Sequence, residues 1–138
     1  MKVNVMLDEG AIMPMKAHDA DAGFDLFARE RACIWRKDSM IFDTGVHIEI
    51  PKGYVGFLKS KSGLNIKYGL SGEGVIDSGY TGSIVCKLYN SNRENYIVEK
   101  GDKIIQLVIL PIPEVELELV DEFKETERGD NGFGSSGR

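Results

Sequence analysis

GVHIEIPKGYVGFL, residues 45–58, is the stretch that decides the fold. Val46, Ile48 and Ile50 alternate with His47 and Glu49, the period of two that turns apolar side chains to one face of a strand and polar ones to the other. Pro51-Lys52-Gly53 interrupts with residues suited to a turn. Tyr54 to Leu58 then resumes as a second strand-like run. On either side lie KVNVML, FDLFA, ACIW, GVID, SIVCKLYN, YIVEK and IIQLVIL, short β-rich runs bounded by turn signals, a spacing that predicts an all-β sandwich or barrel. No long stretch carries a helical period, and Ser62 to Tyr68 has room for only a turn or two of helix.

Glu99-Lys100-Gly101-Asp102 reads as another turn, and Pro111 and Pro113 mark an edge or exit from the sheet, because proline cannot donate to a central ladder. Beyond them EVELELVDEFKETE alternates briefly and turns polar. The pattern predicts one packed domain over residues 1–122 and a flexible, glycine-rich arm over 123–138.

A chain of 138 residues with 42% hydrophobic and 28% charged content can bury a core without disulfides or metals. Its apolar runs are too short for a membrane span, and its N-terminus lacks the apolar stretch of a secretory signal. The expected location is the cytoplasm. Cys33 and Cys86 lie far apart in strand-like settings and read as buried free thiols. His18 and His47 have no second ligand at a metal-binding offset and are expected to need no function. A net charge of −5 with scattered basic residues argues against nucleic-acid binding. A small polyanion would need locally concentrated donors and a divalent cation.

Several segments place turn-forming glycines beside polar groups: Asp21 to Leu26, Lys61 to Leu64, Gly74 to Gly82, Gly101 to Gln106, and the terminal RGDNGFGSSGR. Each has an ordinary reading: Asp25 could cap a turn, Ser62 could cap the helical turn, and Gly101-Asp102 could be a hairpin corner. Together they suit phosphate, because backbone N–H groups reach an anion closely only where side chains are small; Lys61-Ser62-Gly63, and Arg128 with Ser135 and Ser136, have that composition. Asp77, at the end of the Gly74-Val75-Ile76 run, is either a turn cap or a base that takes the proton of a water attacking phosphorus. Tyr80 is either a sheet-packing aromatic or a ring set against a sugar. Phe133, between Gly132 and Gly134, suits a tail that closes over something flat and anionic rather than a frayed end.

In their order and spacing these segments resemble the motifs of the trimeric deoxyuridine triphosphate nucleotidohydrolases, the dUTPases, over about Asp21 to Ser136. The resemblance implies a jelly-roll subunit, a homotrimer with sites shared between subunits, and hydrolysis of dUTP to dUMP and pyrophosphate, which limits uracil in DNA and supplies dUMP. It implies that Asp77 activates the water at the α-phosphate and that Tyr80 lies under deoxyribose. Main-chain groups of Gly72, Gly74, Val75 and Ile76 would read the uracil edge. Lys61, Ser62, Gly63 and Gln106 would serve the phosphates. Asp25 would hold a water of a Mg2+ ion whose direct ligands come from the triphosphate. The arm would bring Phe133 and Gly134 to the uracil and Arg128, Ser135 and Ser136 to the γ-phosphate.

The chain departs from the family in reading Ser60-Lys61-Ser62-Gly63 for Pro-Arg-Ser-Gly, Tyr80-Thr81-Gly82 for Tyr-Arg-Gly, and Asp130-Asn131 where a glycine often stands. Lysine replaces a planar fork with a point charge, so phosphate binding is expected to be geometrically less strict. A dCTP deaminase of the same fold is a rival, but the place of its proton-moving glutamate is held by Lys87. A non-catalytic regulatory protein keeping the fold is a second rival, against which Asp77, Tyr80 and Phe133 all stand.

Overall fold

The computed structural model describes residues 1–137. In chain order the elements are β1 (Val5–Leu7), β2 (Phe24–Phe27), β3 (Ala32–Ile34), β4 (Ser39–Ile48), β5 (Tyr54–Lys59), α1 (Ser62–Tyr68), β6 (Leu70–Ser71), β7 (Gly74–Ile76), β8 (Ser83–Asn90), β9 (Tyr96–Val98) and β10 (Lys103–Pro111). They form two four-stranded sheets, β1-β4-β8-β6 and β2-β10-β5-β7, and a β3-β9 pair. The pairings are antiparallel. This is the all-β architecture expected from the strand pattern, in the jelly-roll-like form that the resemblance implied.

The core consists of apolar side chains from both sheets, including Leu26, Ile50, Leu58, Ile84, Ile105 and Leu107. In the opening stretch Val46, Ile48 and Ile50 are buried, while Glu49 is exposed and His47 half-buried. Tyr54 N–H donates to the Pro51 carbonyl at 3.1 Å, and Gly53 adopts φ 86°, a left-handed conformation that costs a side-chain-bearing residue. The turn is a corner, since β4 and β5 belong to different sheets. Strand β8 alternates strictly, with Ile84, Cys86 and Leu88 inward and Val85, Lys87 and Tyr89 outward. Burial pushes the Cys86 thiol up to about 12. Cys33 is free as well but only half-buried.

Helix α1 begins at Ser62, so its N-cap is Lys61 with no side-chain capping bond; Ser62 is not the cap. It ends on Gly69 at φ 64°, whose N–H donates to the Asn65 carbonyl.

Strand β10 has a partner on each side and stops at Pro111. Ile112 N–H still donates to the Gly53 carbonyl at 2.8 Å. From Pro113 onward every described residue is exposed, so in a single copy the stretch up to Glu122 rests on no core of its own. Val115, Leu117 and Leu119 are 68%, 92% and 98% exposed, a strand-like alternation with no strand partner among the described residues.

At the crossing from β6 to β7, Gly72 is buried, and a Cβ there would lie 2.8 Å from the Lys87 carbonyl oxygen and 3.0 Å from Leu88. The backbone oxygen cannot rotate away. Gly72→Ala is therefore expected to destabilise the fold by about 1–3 kcal/mol, the usual cost of overpacking, read as a lower denaturation midpoint at unchanged slope; a native midpoint would show that the crossing can shift.

Candidate active site

Sheet register assembles one half of the predicted site. Gln106 on β10 is in register with Asp25 of β2 on one side and with Lys59 of β5 on the other, which brings residues distant in sequence to one end of the sheet. Asp25 is 3% exposed. Its oxygens meet Lys61 Nζ at 2.5 Å and Lys103 Nζ at 3.0 Å. Burial pushes the Asp25 carboxyl up, but hydrogen bonds and charge from Lys61 and Lys103 outweigh it and hold it below its ordinary value. Two ammonium groups against one carboxylate leave one surplus positive charge here, in a chain whose net charge is −5. Ser62 and Gly63 are exposed beside it, on a first helical turn whose N–H groups lack intrahelical acceptors.

Gln106 Nε2 donates to the Ser60 carbonyl at 3.0 Å. Its side chain lies where a Cβ on Gly23 would be, 2.5 Å from Gln106 Oε1, so the glycine at 23 is a condition for that placement. Ser60 Oγ accepts from Gly72 N–H at 3.0 Å and donates to the Gly72 carbonyl at 3.1 Å, tying the phosphate-directed loop to the start of the predicted uracil reader. Sequence reasoning missed Ser60 and Lys103. The substitution of serine for proline was the available signal for the first, since proline could make neither bond. The second lay inside a quoted segment, but only the fold shows that its ammonium reaches Asp25.

Strand β7 carries the other half. It pairs with β5 on one side and is the edge of its sheet, so main-chain groups of Gly74, Val75 and Ile76 are available along the outer side, as reading a base edge requires. Ile76 is buried and anchors the strand; Asp77, next in line, is exposed. The turn closes with Tyr80 N–H donating to the Asp77 carbonyl at 3.2 Å and Gly79 at φ 87°. Since β7 and β8 lie in different sheets, this turn is a corner between the sheets. Tyr80 is 45% exposed, and its hydroxyl donates to the Ser83 carbonyl at 2.9 Å. The ring lies against Gly82, where a Cβ would overlap it.

The two halves do not meet within one chain. Ile76 stands opposite Gly56, so Asp77 lies near the start of β5 whereas Lys61 follows its end, a separation of about 20 Å at strand rise. The cleft beside Asp77, about 590 Å³, is lined by Lys52, Tyr54, Ser78 and Ile112 among others, and by none of the phosphate-directed residues. The arm stands apart from both. Arg128, Ser135 and Ser136 line one hollow on it, shaped by Gly129 and Gly134 at positive φ and by Arg128 Nε donating to the Asn131 carbonyl at 3.0 Å. Phe133 is fully exposed.

The dUTPase family model matches residues 9–137. The chain belongs to the dUTPase family. It is 40% identical over 134 residues to a deoxyuridine 5'-triphosphate nucleotidohydrolase of Clostridium kluyveri, covering 95% of this dUTPase and 94% of the relative. It is 38% identical over 132 residues to the enzyme of the same name from Paramecium bursaria Chlorella virus 1, covering 95% and 94%. Among solved structures, Staphylococcus bacteriophage 80alpha dUTPase with dUPNHPP superposes with a TM-score of 0.92 at 35% identity, covering 99% of each chain. A dUTPase variant from phage phi11 of S. aureus, described for its coordination of a structural Mg(II) ion, gives 0.84 at 32% identity over 91% of this dUTPase and 100% of that chain.

Lys87, at the place a deaminase would need its glutamate, points its ammonium over the Tyr89 ring on the outer face of β8. No group of three or more His, Cys, Asp or Glu side chains capable of holding a metal occurs among the described residues, and both Asp25 oxygens already face ammonium groups. This donor set does not suit a resident ion. It suits Mg2+ carried in by phosphate oxygens, which keeps most of its waters and needs few protein ligands. No helix among the described residues is long and apolar enough to cross a membrane.

Proposed function

We propose that this dUTPase releases pyrophosphate from dUTP by attack of a water on the α-phosphate, with Asp77 as the base, in sites shared between the subunits of a homotrimer. The observation that carries the reading is the placement of Asp77 and the Lys61 cluster at opposite ends of β5. One copy has every part and cannot bring them together. The arm, exposed along its length, and the unpartnered alternation at Val115, Leu117 and Leu119 supply the means of reaching another copy.

In the assembled site the Asp77 carboxylate takes a proton from the water as its oxygen bonds to the α-phosphorus. The bond from that phosphorus to the bridging oxygen breaks, leaving dUMP and pyrophosphate. Lys61 and Lys103 hold the phosphate charge that grows on departure, with Gln106, Ser62 and Gly63 alongside. The outer edge of β7 with Gly72 takes the uracil, Tyr80 lies under the deoxyribose, and Phe133 with Gly134 covers the base. Arg128, Ser135 and Ser136 hold the γ-phosphate. Mg2+ bound to the triphosphate would supply further charge neutralisation, and Asp25 would accept a hydrogen bond from one of its waters. The substrate and the two free thiols fit a cytoplasmic enzyme, and the net charge of −5 argues against nucleic acid as a partner.

Subunit mixing tests the shared site. Asp77→Asn and a chain truncated before Arg128 are each expected to be inactive. Refolded together in equal amounts, they are expected to regain about a quarter of the native pyrophosphate release, because one site in four then draws an intact Asp77 and an intact arm from different copies. No recovery would place Asp77 and arm in the same chain and overturn the proposal.

A further inference from the structure

We propose that His47, protonated on both ring nitrogens, is a positioning residue that fixes the Asp77–Tyr80 corner by clamping the Thr81 carbonyl to Asp8. The inference rests on the roles given above to Asp77 and Tyr80. His47 lies on β4 with its side chain 18% exposed. Its Nδ1 is 2.7 Å from the Thr81 carbonyl oxygen and its Nε2 is 3.0 Å from Asp8 Oδ1. Both partners are acceptors. A neutral imidazole has one N–H and can satisfy only one of them; the imidazolium donates to both.

Thr81 is the residue after Tyr80, so this bond acts on the corner itself. The segment is also held by the Tyr80 N–H on the Asp77 carbonyl, the Tyr80 hydroxyl on the Ser83 carbonyl, the Ser83 hydroxyl on Asp43 and the pairing of Ser83 with His47 between β8 and β4. None of these uses the imidazole ring, so proton loss near neutral pH acts through the His47 side chain.

The charged groups around the ring favour the imidazolium. Asp8 comes from the end of β1 and Asp43 from β4, and Glu49 lines the same hollow as His47. Arg29 opposes them, at 4.0 Å from Asp8 and 3.9 Å from Asp43. The Thr81 hydrogen bond, then the Asp8 hydrogen bond, with the charges of Asp8 and Asp43, raise the imidazole above its ordinary 6.5 against the opposing effect of burial. A raised value means that the clamp is complete below 6.5 and is lost as pH climbs through the higher folded-state value.

The test uses the full-length trimer. With two histidines in the chain, His18→Gln leaves His47 as the sole imidazole for nitrogen-detected NMR. Both ring nitrogens are expected to carry protons at pH 6.5, with the Thr81 and Ser83 amide signals moving at the same midpoint as the ring. In steady-state assays KM for dUTP is expected to rise about five- to tenfold as pH passes that midpoint, the scale of one hydrogen bond, with kcat changing much less. His47→Gln should show the high KM at every pH.

A His47 titrating at or below 6.5 with a single N–H would overturn the clamp, and so would a His47→Gln profile that superimposes on the native one. Asp8→Asn covers the event that His47→Gln does not fold. It is expected to move both the ring midpoint and the KM rise to lower pH, and an unmoved midpoint would refute the inference. Failure of the site reading is distinguishable: it would show as an active Asp77→Asn, whereas failure of the clamp alone leaves Asp77→Asn inactive.

Discussion

Asp77→Asn is expected to lower turnover of dUTP by about 10²- to 10⁴-fold, the range that a positioned general base contributes, while leaving the affinity for dUTP close to native. The amide keeps the shape of the side chain and cannot take a proton from water. The turn should survive, because the bond that closes it uses the Asp77 main-chain carbonyl and the side chain is exposed. Single-turnover pyrophosphate release gives the chemical step, and calorimetric titration with a non-hydrolysable dUTP analogue gives the binding. A variant as active as the native enzyme would remove Asp77 from the mechanism. Equal losses in binding and turnover would make it a binding residue instead.

Deleting Arg128 to Arg138 is expected to have an effect of similar size by a different route. Stacking of a base on an aromatic ring is worth about 1–3 kcal/mol, and charge-assisted hydrogen bonds such as those from Arg128 add about 1.5–3 kcal/mol each. One stack and one such bond together correspond to a loss in kcat/KM of about 10²- to 10⁴-fold. The melting temperature should hardly change, since residues 128–137 are exposed and cover no core. A large fall in melting temperature would make the arm a structural element. Phe133→Ala alone should reproduce the stacking part of the loss, and comparing dUTP with dCTP would show whether the ring contributes affinity or discrimination.

Much of the molecule was legible in the sequence because its strands are half-buried. Alternation at Val46, Ile48 and Ile50 reports a face, and the same spacing along β8 reports another. Proline and glycine punctuate where the backbone must turn, as at Pro51-Lys52-Gly53 and Gly69. Asp77, Tyr80 and Phe133 stood out for a different reason: each lies beside glycine or other small residues, in the order of the dUTPase motifs they resemble, and the roles proposed for them come from that resemblance. His47 was passed over because a lone histidine on a strand carries no local signal. Its meaning lies in Asp8 and Thr81, which are 39 and 34 residues away in sequence. Lys103 and Ser60 were hidden likewise, their partners being Asp25 on another strand and Gly72 across a helix.

By itself the sequence determined the strands, the turns, the all-β class and the kinds of group available for chemistry, since these depend on local sterics and on which face of each strand is apolar. Only the tertiary structure decided which strands pair and hence which groups meet. Register places Gln106 between Asp25 and Lys59, makes β7 an edge, turns the Asp77 segment into a corner between sheets, and leaves Asp77 and Lys61 too far apart to act in one copy. The physical reason is that strand pairing is settled by burying both sheets' apolar faces at once, a condition on the whole chain that no short window of residues contains.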